Sequence, residues 1–555
     1  MTTINTIKGS SAFLALLKEN GITHMFGNPG TTELPIMDAM KDHPDLTYVL
    51  GLQESLVVAM ADGYSRASGQ LAACNVHVAP GLGNAIGSIY NAKFTGTPII
   101  VTAGQQEQGH GLTEPLLYDP LVPMADPVVK WATEVTRLED LPRIVHRAAK
   151  IAMTPPTGPV FLSLPGDILN AEAGIDLGKP TRVDTRNRPA DDVLEKLADI
   201  LLAAKNPCIV CGDEIVKSDA LSEAGDFATT LGAAVYQQSV PYGAHFISEH
   251  PCYIGGLSRD QGDVRNVLSA YDMMISVGAD PLRMSVYSEI NPLPNGMSVI
   301  QIGLLDWEMG KNFAADMAVR GDVRETLHAL IPILQAKGGD ALAKKAVAAI
   351  DAMAPRNWSA TRQAMGESVR AAKDANPIDP NWMTWQMVEN LPKNAVMVHE
   401  GLTTTWQMHK MFAYTDRYSY HGFGSGGIGW AVPAAIGIQL ADLSRPVCAV
   451  IGDGSSMYSI QALWTAANLK LPMTYVICNN KSYRIIKQRL KAFHGNDHFV
   501  GMDFNAPYID FVQLAHSMGV TAERIEDPAK VGPAVKAAMN NPGPNLLDIV
   551  VDGSV

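Results

Sequence analysis

VCAVIGDGSSMYSIQALWTAANLKLPMTYVICNNKSY, residues 447–483, is the stretch of sequence that decides the fold. Five β-favouring residues run into a Gly-Asp-Gly turn at 452–454, a helical pattern follows to Leu469, and a second apolar run ends at the Asn-Asn pair 479–480. Strand, tight turn, helix and strand in this order predict one βαβ unit with two parallel strands. Its polar residues fall at the strand ends, where a ligand site is expected.

Asp453 and Asn480 should lie together at the carboxyl edge of this sheet, although 27 positions separate them. A carboxylate and an amide oxygen suit Mg²⁺, which takes few protein oxygens and completes its shell with water and phosphate. Gly454 allows a backbone to approach closely, and Ser455 opens the next helix, whose free N–H groups favour an anion. Either motif alone would be an ordinary turn or loop, but together they predict a metal-bridged diphosphate.

The composition is that of a globular protein. Of the 555 residues, 47% are apolar and 18% are charged, and this length favours about three domains. The formal net charge of −13 argues against binding to nucleic acid or to anionic membranes. The apolar run at 12–17 is too short for a signal peptide and no run is long enough to span a membrane, so a cytoplasmic protein is expected.

The six cysteines are scattered, mostly in apolar runs, and are expected to be buried reduced thiols. The spacing of Cys208 and Cys211 could serve zinc binding or redox chemistry. No second pair accompanies them and the residues between them favour a strand, so a structural role is the preferred interpretation.

Strands alternate with helices along most of the chain, which predicts an α/β fold of doubly wound parallel sheets. Residues 80–84 are expected to form a glycine-rich turn after the third strand. Composition predicts a Pro/Arg/Asp-rich linker at 176–190 and a polar, Ala-rich connection at 348–380. The predicted domains are 1–180, 191–345 and 375–555.

The stretch GSGGIG at 424–429 formally fits the GxGxxG fingerprint and offers a rival function, a nicotinamide or flavin oxidoreductase. The strand before it is weak. The only acidic residue that ends a following strand at the required position is Asp453, which the metal site already uses, so the dinucleotide interpretation is disfavoured.

Over nearly its whole length the sequence resembles the thiamine-diphosphate enzymes of the pyruvate decarboxylase and acetolactate synthase superfamily, and within it the benzoylformate decarboxylase branch. The stretches that carry the resemblance are FGNPGTTELP, NVHVAPGLGNAIGS, IVTAGQQ, GSGGIGWAVPAAIG, IGDGSSMYSIQALWTAA and ICNNKSY. The resemblance implies pyrimidine-binding, central and diphosphate-binding domains, with active sites between the subunits of a homodimer or homotetramer. It implies thiamine diphosphate and Mg²⁺ as cofactors, with Ca²⁺ as a possible substitute for Mg²⁺.

The resemblance also implies individual roles. Glu54 matches the acid that protonates the aminopyrimidine ring, although a negative charge in a first helical turn is also favourable on its own. His77 matches a catalytic histidine, and Thr31 stands where benzoylformate decarboxylase has a serine. Gly426 would present its carbonyl to the aminopyrimidine, and Ile428 would bend the cofactor. The implied metal ligands are Asp453, Asn480 and the Ser482 carbonyl. The other implied cofactor contacts are Thr403, Thr404, Gly454, Ser455, Tyr458 and Tyr483.

Two positions depart from the benzoylformate decarboxylase pattern. The second catalytic histidine of that branch aligns with Ser285, and His110 is a candidate replacement. The aromatic residue that packs on the substrate ring aligns with Arg489, which a solvated surface helix would also explain. If Arg489 reaches the site, its guanidinium would favour a substrate with a second anionic group.

The predicted function is thiamine-diphosphate- and Mg²⁺-dependent decarboxylation of a 2-oxoacid by a lyase. Carboligation of the decarboxylated fragment to an aldehyde is a further activity open to such an enzyme. The alternative is an acetolactate-synthase-like transferase that joins two 2-oxoacids, with or without a bound flavin. A non-catalytic protein of the same fold is disfavoured because Glu54, Asp453 and Asn480 are all present.

Overall fold

The structure is a computed structural model and describes residues 6–280, 282–284 and 287–555. Three six-stranded sheets flanked by helices make up this part of the chain, which confirms the predicted α/β class. The chain divides into two compact units, one of Met1–Val183, Leu391–Thr404 and Phe423–Val555, the other of Asp184–Asn390 and Thr405–Gly422. The exact bounds of the three predicted domains stay a prediction.

The first sheet has the strand order β3-β2-β4-β5-β7-β6, with all neighbours parallel. Its central strands are apolar and fully buried because helices cover both faces. The strands of this region are β1 (Thr6–Lys8), β2 (His24–Gly27), β3 (Thr47–Leu50), β4 (Ala72–Val76), β5 (Ile99–Gln105), β6 (Ala132–Glu134), β7 (Val160–Pro165) and β8 (Glu172–Gly174). Strands β1 and β8 form a separate antiparallel pair. The helices are α1 (Gly9–Glu19), α2 (Leu34–Ala39), α3 (Glu54–Ser68), α4 (Val78–Thr95), α5 (Gln108–Gly111), α6 (Leu121–Ala125), α7 (Leu141–Met153) and α8 (Gly166–Asn170).

The predicted turn at 80–84 is wrong, because these residues lie in the first turns of α4. Pro80 is tolerated there since the first N–H groups of a helix have no partner within it. The change matters for the site because it places His77 as the residue that precedes the helix.

The second sheet has the order β11-β10-β9-β12-β13-β14, again all parallel. Its strands are β9 (Pro207–Cys211), β10 (Ala234–Gln237), β11 (Tyr253–Gly256), β12 (Met273–Val277), β13 (Ser298–Gly303) and β14 (Met317–Arg320). The helices are α9 (Asp191–Ala203), α10 (Asp213–Lys217), α11 (Leu221–Leu231), α12 (Gln261–Leu268), α13 (Val323–Met353) and α14 (Trp358–Val369). The connection predicted at 348–380 is largely helical, since its alanines and charged residues continue α13 and build α14.

The third sheet has the order β16-β15-β17-β18-β20-β19. Its strands are β15 (Val396–Glu400), β16 (Tyr420–Gly422), β17 (Val447–Gly452), β18 (Met473–Asn479), β19 (Thr521–Ile525) and β20 (Asn545–Val550). The helices are α15 (Pro380–Glu389), α16 (Met408–Met411), α17 (Ala431–Ala441), α18 (Asp453–Ser456), α19 (Ala462–Asn468), α20 (Arg484–His494), α21 (Phe511–Ser517) and α22 (Val531–Met539). The strands β17 and β18 pair in parallel register, as the βαβ pattern predicts.

Helices α3 and α17 cross with their backbones in contact. A Cβ atom on Gly63 would lie 2.2 Å from the Ala434 carbonyl oxygen, and one on Gly437 would lie 1.9 Å from the Met60 carbonyl oxygen. Only glycine fits at these two positions. The crossing joins the first and third sheets within one unit and one hydrophobic core.

All six cysteines are buried and free. Burial raises the pKa values of Cys208 and Cys211 well above the ordinary range for a thiol, so neither is a reactive thiolate at neutral pH. In the described residues no helix is long and apolar enough to cross a membrane.

Candidate active site

Asp453 and the loop after β18 meet at the carboxyl edge of the third sheet. Gly452, at the end of β17, pairs with Cys478 in β18, so the residues that follow the two strands lie side by side. Asp453 Oδ2 accepts a hydrogen bond of 2.6 Å from the Lys481 backbone N–H. Its Oδ1 accepts one of 2.8 Å from the Gly454 N–H. The two strand ends therefore lie together, and their sharing of one metal ion stays a prediction.

The Asp453 carboxyl is only 2% exposed. Burial raises its pKa to about 7, although the backbone N–H groups around it act in the opposite direction. A carboxylate in this position is costly to ionise unless a cation binds it. The arrangement therefore favours a bound metal ion.

Asn480 connects the same edge to the loop after β15. Its Nδ2 donates to Thr404 Oγ1 at 3.0 Å, and its Oδ1 accepts from the Ser482 N–H at 3.0 Å. The Thr403 carbonyl accepts from Arg484 Nη1 at 3.4 Å. The structure thus brings together five of the predicted cofactor and metal contacts: Thr403, Thr404, Asp453, Asn480 and Ser482.

In the described part of the chain, no three His, Cys, Asp or Glu side chains converge in a metal-binding cluster. The predicted metal site instead rests on one carboxylate, one amide and one backbone carbonyl. That hard-oxygen set is sparse, as expected for a cation whose shell is completed by water and a diphosphate.

Tyr483 lies directly over Gly454. A Cβ atom on Gly454 would be 2.5 Å from Tyr483 Cε1 and 3.0 Å from Phe504 Cζ. The Tyr483 and Phe504 rings pack edge to face with centroids 4.8 Å apart. Burial raises the pKa of Tyr483, and the neighbouring Tyr458 hydroxyl, with which it hydrogen-bonds, raises it further. Gly454 is therefore required so that the metal loop can close over α18.

The loop at 424–429 leads into α17. Gly426 has φ +85° and Gly429 has φ +96°, conformations that other residues rarely adopt. Gly426 is exposed and Ile428 is half-buried, so both can face a ligand. The Ser425 N–H donates to Asn91 Oδ1 at 3.2 Å.

Glu54 is the first residue of α3 and is 7% exposed. Its Oε2 accepts from Asn84 Nδ2 at 3.1 Å. A Cβ atom on Gly81 would lie 2.9 Å from Glu54 Oε1 and 3.3 Å from His77 Cβ. Glu54 and His77 therefore flank the same glycine of α4.

His77 is held by a buried carboxylate that the sequence prediction missed. Its Nδ1 lies 2.8 Å from Glu33 Oε2, and Glu33 is fully buried. Glu33 also accepts from the backbone N–H groups of Gly30 at 2.9 Å and Gly104 at 2.7 Å, and from the Thr32 hydroxyl at 2.9 Å. Because a carboxylate only accepts, Nδ1 must carry the proton, which leaves Nε2 for a ligand.

Thr31 begins the short 3₁₀ turn that ends at Glu33 and is exposed. In the described residues no hydrogen bond joins the group of Glu54, His77 and Glu33 to the group of Asp453 and Asn480. The predicted site residues thus form two groups, one at the edge of the first sheet and one at the edge of the third.

The structure gives different information on the two positions that depart from the benzoylformate decarboxylase pattern. Ser285 lies outside the described residues. His110 is exposed on α5, with its Nδ1 3.2 Å from the Thr113 hydroxyl. Arg489 is exposed on α20, three residues after the half-exposed Ile486.

Family models match the chain in three places: the thiamine pyrophosphate enzyme N-terminal TPP binding domain at 7–116, the central domain at 194–330, and the C-terminal TPP binding domain at 401–549. A benzoylformate decarboxylase of Pseudomonas aeruginosa is 30% identical over 97% of this chain and 98% of its own length. The chain belongs to the thiamine pyrophosphate enzyme family.

Other members of the thiamine pyrophosphate enzyme family are also similar over nearly the whole chain. A probable acetolactate synthase large subunit of Methanococcus aeolicus is 28% identical over 99% of this chain and 92% of its own. The solved structure of a thiamine diphosphate-dependent 4-hydroxybenzoylformate decarboxylase of Rhodococcus jostii RHA1 has a TM-score of 0.87 and 30% identity, covering 98% of this chain and 99% of that one. The relatives thus include decarboxylating and carbon-joining enzymes.

The residues present fit the family cofactor. A cation at the buried Asp453 carboxyl would offset the cost of its burial, and Gly426 leaves backbone exposed where a ligand would approach. The Glu54 carboxyl and His77 Nε2 offer proton-carrying groups of the kind that an aminopyrimidine and an oxoacid need.

Proposed function

We propose that this protein decarboxylates a 2-oxoacid with thiamine diphosphate and Mg²⁺, and that it can also join the resulting fragment to an aldehyde. Thiamine diphosphate supplies a carbanion that adds to the 2-oxo group and accepts the electrons left behind by CO₂. The tasks of the chain are to hold the diphosphate, supply protons and exclude water.

Asp453, Asn480 and the Ser482 carbonyl would hold Mg²⁺, and Ca²⁺ could take the same oxygen ligands. Thr403, Thr404, Gly454, Ser455, Tyr458 and Tyr483 would surround the diphosphate. Gly426 and Ile428 would contact the aminopyrimidine end. The hydrogen bonds of Asn480 to Thr404 and Ser482 support this assignment, because they tie the proposed diphosphate loop to the proposed metal loop.

Glu54 would hold the proton that the aminopyrimidine nitrogen needs. The hydrogen bond from Asn84 engages Oε2, so Oε1 is the oxygen left for the cofactor. The absence of a side chain on Gly81 keeps space beside Oε1, where a Cβ atom would lie 2.9 Å away.

The pairing of His77 with Glu33 is the observation that carries the decarboxylase proposal. Glu33 keeps the proton on Nδ1, which leaves Nε2 to exchange a proton with the product. Both reactions consume one proton, but a decarboxylation needs it on the carbon that lost CO₂, whereas joining two oxoacids needs it on the carbonyl oxygen of the second oxoacid. Thr31, on the turn beside Glu33, would contact the substrate through its hydroxyl.

The two groups of site residues would complete one site between two copies of the chain, in a homodimer or homotetramer. Leu34 is 59% exposed, Leu52 is 45% exposed and Tyr458 is 58% exposed. The two leucines adjoin Glu33 and the Glu54 helix, and Tyr458 adjoins the diphosphate group. Apolar side chains exposed beside both groups support a covering partner.

The test is to incubate the protein with Mg²⁺, thiamine diphosphate and a panel of 2-oxoacids, with and without an acceptor aldehyde, and to identify the products. We expect CO₂ and an aldehyde in equal amounts, and a hydroxyketone when acceptor is added. A 2-hydroxy-2-alkyl-3-oxoacid as the main product would favour the acetolactate-synthase-like alternative, to which the Methanococcus relative gives some support. A His77→Ala variant should lose aldehyde release more than it loses substrate consumption.

A further inference from the structure

Glu400, the last residue of β15, is a fully buried carboxylate outside the metal site. Its Oε1 accepts from the Gly429 N–H at 2.5 Å and its Oε2 accepts from the Ala431 N–H at 2.6 Å. The Trp430 N–H and the Ser455 side chain also hydrogen-bond to it. One carboxylate thus accepts hydrogen bonds from four donors.

These donors come from two different parts of the cofactor region. Gly429, Trp430 and Ala431 are the junction at which the 424–429 loop becomes α17, while Ser455 lies on α18 with Asp453. The junction also packs closely on the diphosphate side, since a Cβ atom on Gly429 would lie 2.5 Å from Tyr458 Cβ. Glu400 is therefore the point at which the aminopyrimidine loop and the diphosphate segment are tied to one strand end.

The loop has few other supports near its tip. Among the described residues, no neighbouring atom lies within 4 Å of the position where Gly426 would carry a Cβ atom. Besides Glu400, the segment is held by the Ser425 N–H bond to Asn91 Oδ1 and the Gly427 N–H bond to Ser425 Oγ at 3.2 Å, and the junction by the Trp430 Nε1 bond to Asp62 Oδ2 at 2.6 Å. The contacts that fix the positions of Gly426 and Ile428 thus lie at the two ends of the segment, and Glu400 supplies the backbone contacts at the α17 end.

The chemistry at this position needs a carboxylate. Burial raises the pKa of Glu400 to about 7, so burial outweighs even these hydrogen bonds, and a neutral side chain would be easier to bury. A glutamine has one oxygen that accepts and an NH₂ group that donates, so it cannot satisfy donors on both sides. A group that only accepts is required to hold both segments at once.

We propose that Glu400 is a positioning residue for the cofactor, which fixes the Gly426–Ile428 segment relative to Ser455 before thiamine diphosphate binds. This inference rests on the proposed roles of these segments as cofactor contacts. Glu400 itself touches backbone and Ser455 rather than the reacting atoms.

The first experiment compares Glu400→Gln with the wild-type protein by calorimetric titration at saturating Mg²⁺. Thiamine diphosphate should bind about 10- to 100-fold more weakly, because one donor at the loop junction is left without a partner. Inorganic pyrophosphate with Mg²⁺ probes the diphosphate half alone, and its affinity should change less than about threefold. Equal losses for both probes, or no loss for either, would overturn the proposal.

Glu214→Gln is the matched control. Glu214 is also buried, in the first turn of α10; it accepts from the Leu304 N–H at 2.6 Å and the Leu305 N–H at 3.3 Å, and burial raises its pKa to about 7. Glu214 belongs to the second compact unit, whereas the proposed cofactor loops belong to the first. Both variants should change the melting temperature to a similar extent, but only Glu400→Gln should change cofactor affinity.

A second measurement uses the wild-type protein and so does not depend on the folding of a variant. Hydrogen exchange at the Gly429 and Ala431 amides should already be slow without cofactor and should change little when thiamine diphosphate and Mg²⁺ are added. Fast exchange that becomes slow only on loading would mean that the cofactor, not Glu400, forms the loop. Failure of the wild-type protein to bind thiamine diphosphate at all would instead refute the proposed function.

Discussion

Replacing Asp453 by Asn should weaken the binding of thiamine diphosphate without lowering the stability of the cofactor-free protein at pH 8. The exchange keeps the size of the side chain and removes the charge. In the structure Oδ1 and Oδ2 accept from the N–H groups of Gly454 and Lys481 at 2.8 and 2.6 Å. An amide can accept only one of these bonds, and its NH₂ group would face the other N–H.

Two opposing effects on folding follow. A donor left without a partner costs roughly 1–3 kcal/mol. Burial raises the pKa of Asp453 from 3.8 to about 7, and roughly 3 pKa units at about 1.4 kcal/mol each make the carboxylate costly by about 4 kcal/mol at pH 8. Asn avoids that second cost. The cofactor-free variant should therefore be as stable as the wild type at pH 8, or more stable.

The substitution should weaken cofactor binding, because the metal loses its one carboxylate ligand. A charge-assisted bond of about 1.5–3 kcal/mol corresponds to roughly 10- to 150-fold in affinity for thiamine diphosphate at limiting Mg²⁺. The assay pairs thermal unfolding without ligand with calorimetric titration at low and high Mg²⁺. The control is Asp503→Asn, which removes an acid beside the metal loop that pairs at 2.7 Å with Lys487 of α20. Unchanged cofactor affinity and unchanged Mg²⁺ dependence in Asp453→Asn would refute the metal assignment.

Three further predictions address the proton donor, the substrate and pH. Glu54→Gln should retain thiamine diphosphate but lose roughly 10²–10⁴-fold in kcat, because an amide cannot supply the proton; near-normal turnover would remove Glu54 from the mechanism. Arg489→Leu should lower kcat/KM for a 2-oxoacid with a second anionic group by roughly 10- to 150-fold and raise it for phenylglyoxylate; an unchanged preference would place Arg489 on the surface. Burial raises the pKa of Glu214 from 4.5 to about 7, so the folded protein binds this proton more tightly than the unfolded chain does. This contribution to the free energy of unfolding is complete below about pH 4.5 and is lost as the pH rises through about 7. Urea unfolding between pH 5.5 and 8 should therefore show a steeper decline for the wild type than for Glu214→Gln, and parallel profiles would contradict the assignment.

The parts of the fold that were predictable from sequence are those whose signals are local. The stretch from Val447 to Asn480 alternates structure every few residues, so its strands and its polar strand ends could be located directly, although the one helix expected between them is divided into α18 and α19. The turn expected at 80–84 failed because Pro and Gly are also tolerated in the first turn of a helix, which local composition does not distinguish from a loop. The helices within the connection at 348–380 were not apparent from the sequence, since alanine and charged residues suit an exposed helix as well as a linker.

The site residues that the sequence did not reveal act through distant contacts. Glu33 meets His77 across 44 positions and the Gly104 N–H across 71. Glu400 accepts hydrogen bonds from the N–H groups of Gly429 and Ala431, about 30 positions later in the chain. A signal was present at Glu400, because an acidic residue closes an apolar strand there just as Asp453 follows β17. Such a pattern does not indicate which N–H groups the carboxylate will accept.

The crossing of α3 and α17 limits how this enzyme can open and close. At Gly63 and Gly437 no side chain separates the helices, so there is no layer of flexible groups along which one helix could slide past the other. The Glu54 end of α3 and the loop that enters α17 must then move as parts of one rigid frame. Substrate entry and product release would depend on surface loops such as 106–120 and 495–510 rather than on a hinge between the two sheets. Turnover limited by product release should therefore respond to changes in those loops, while enlarging either glycine should disturb the frame itself.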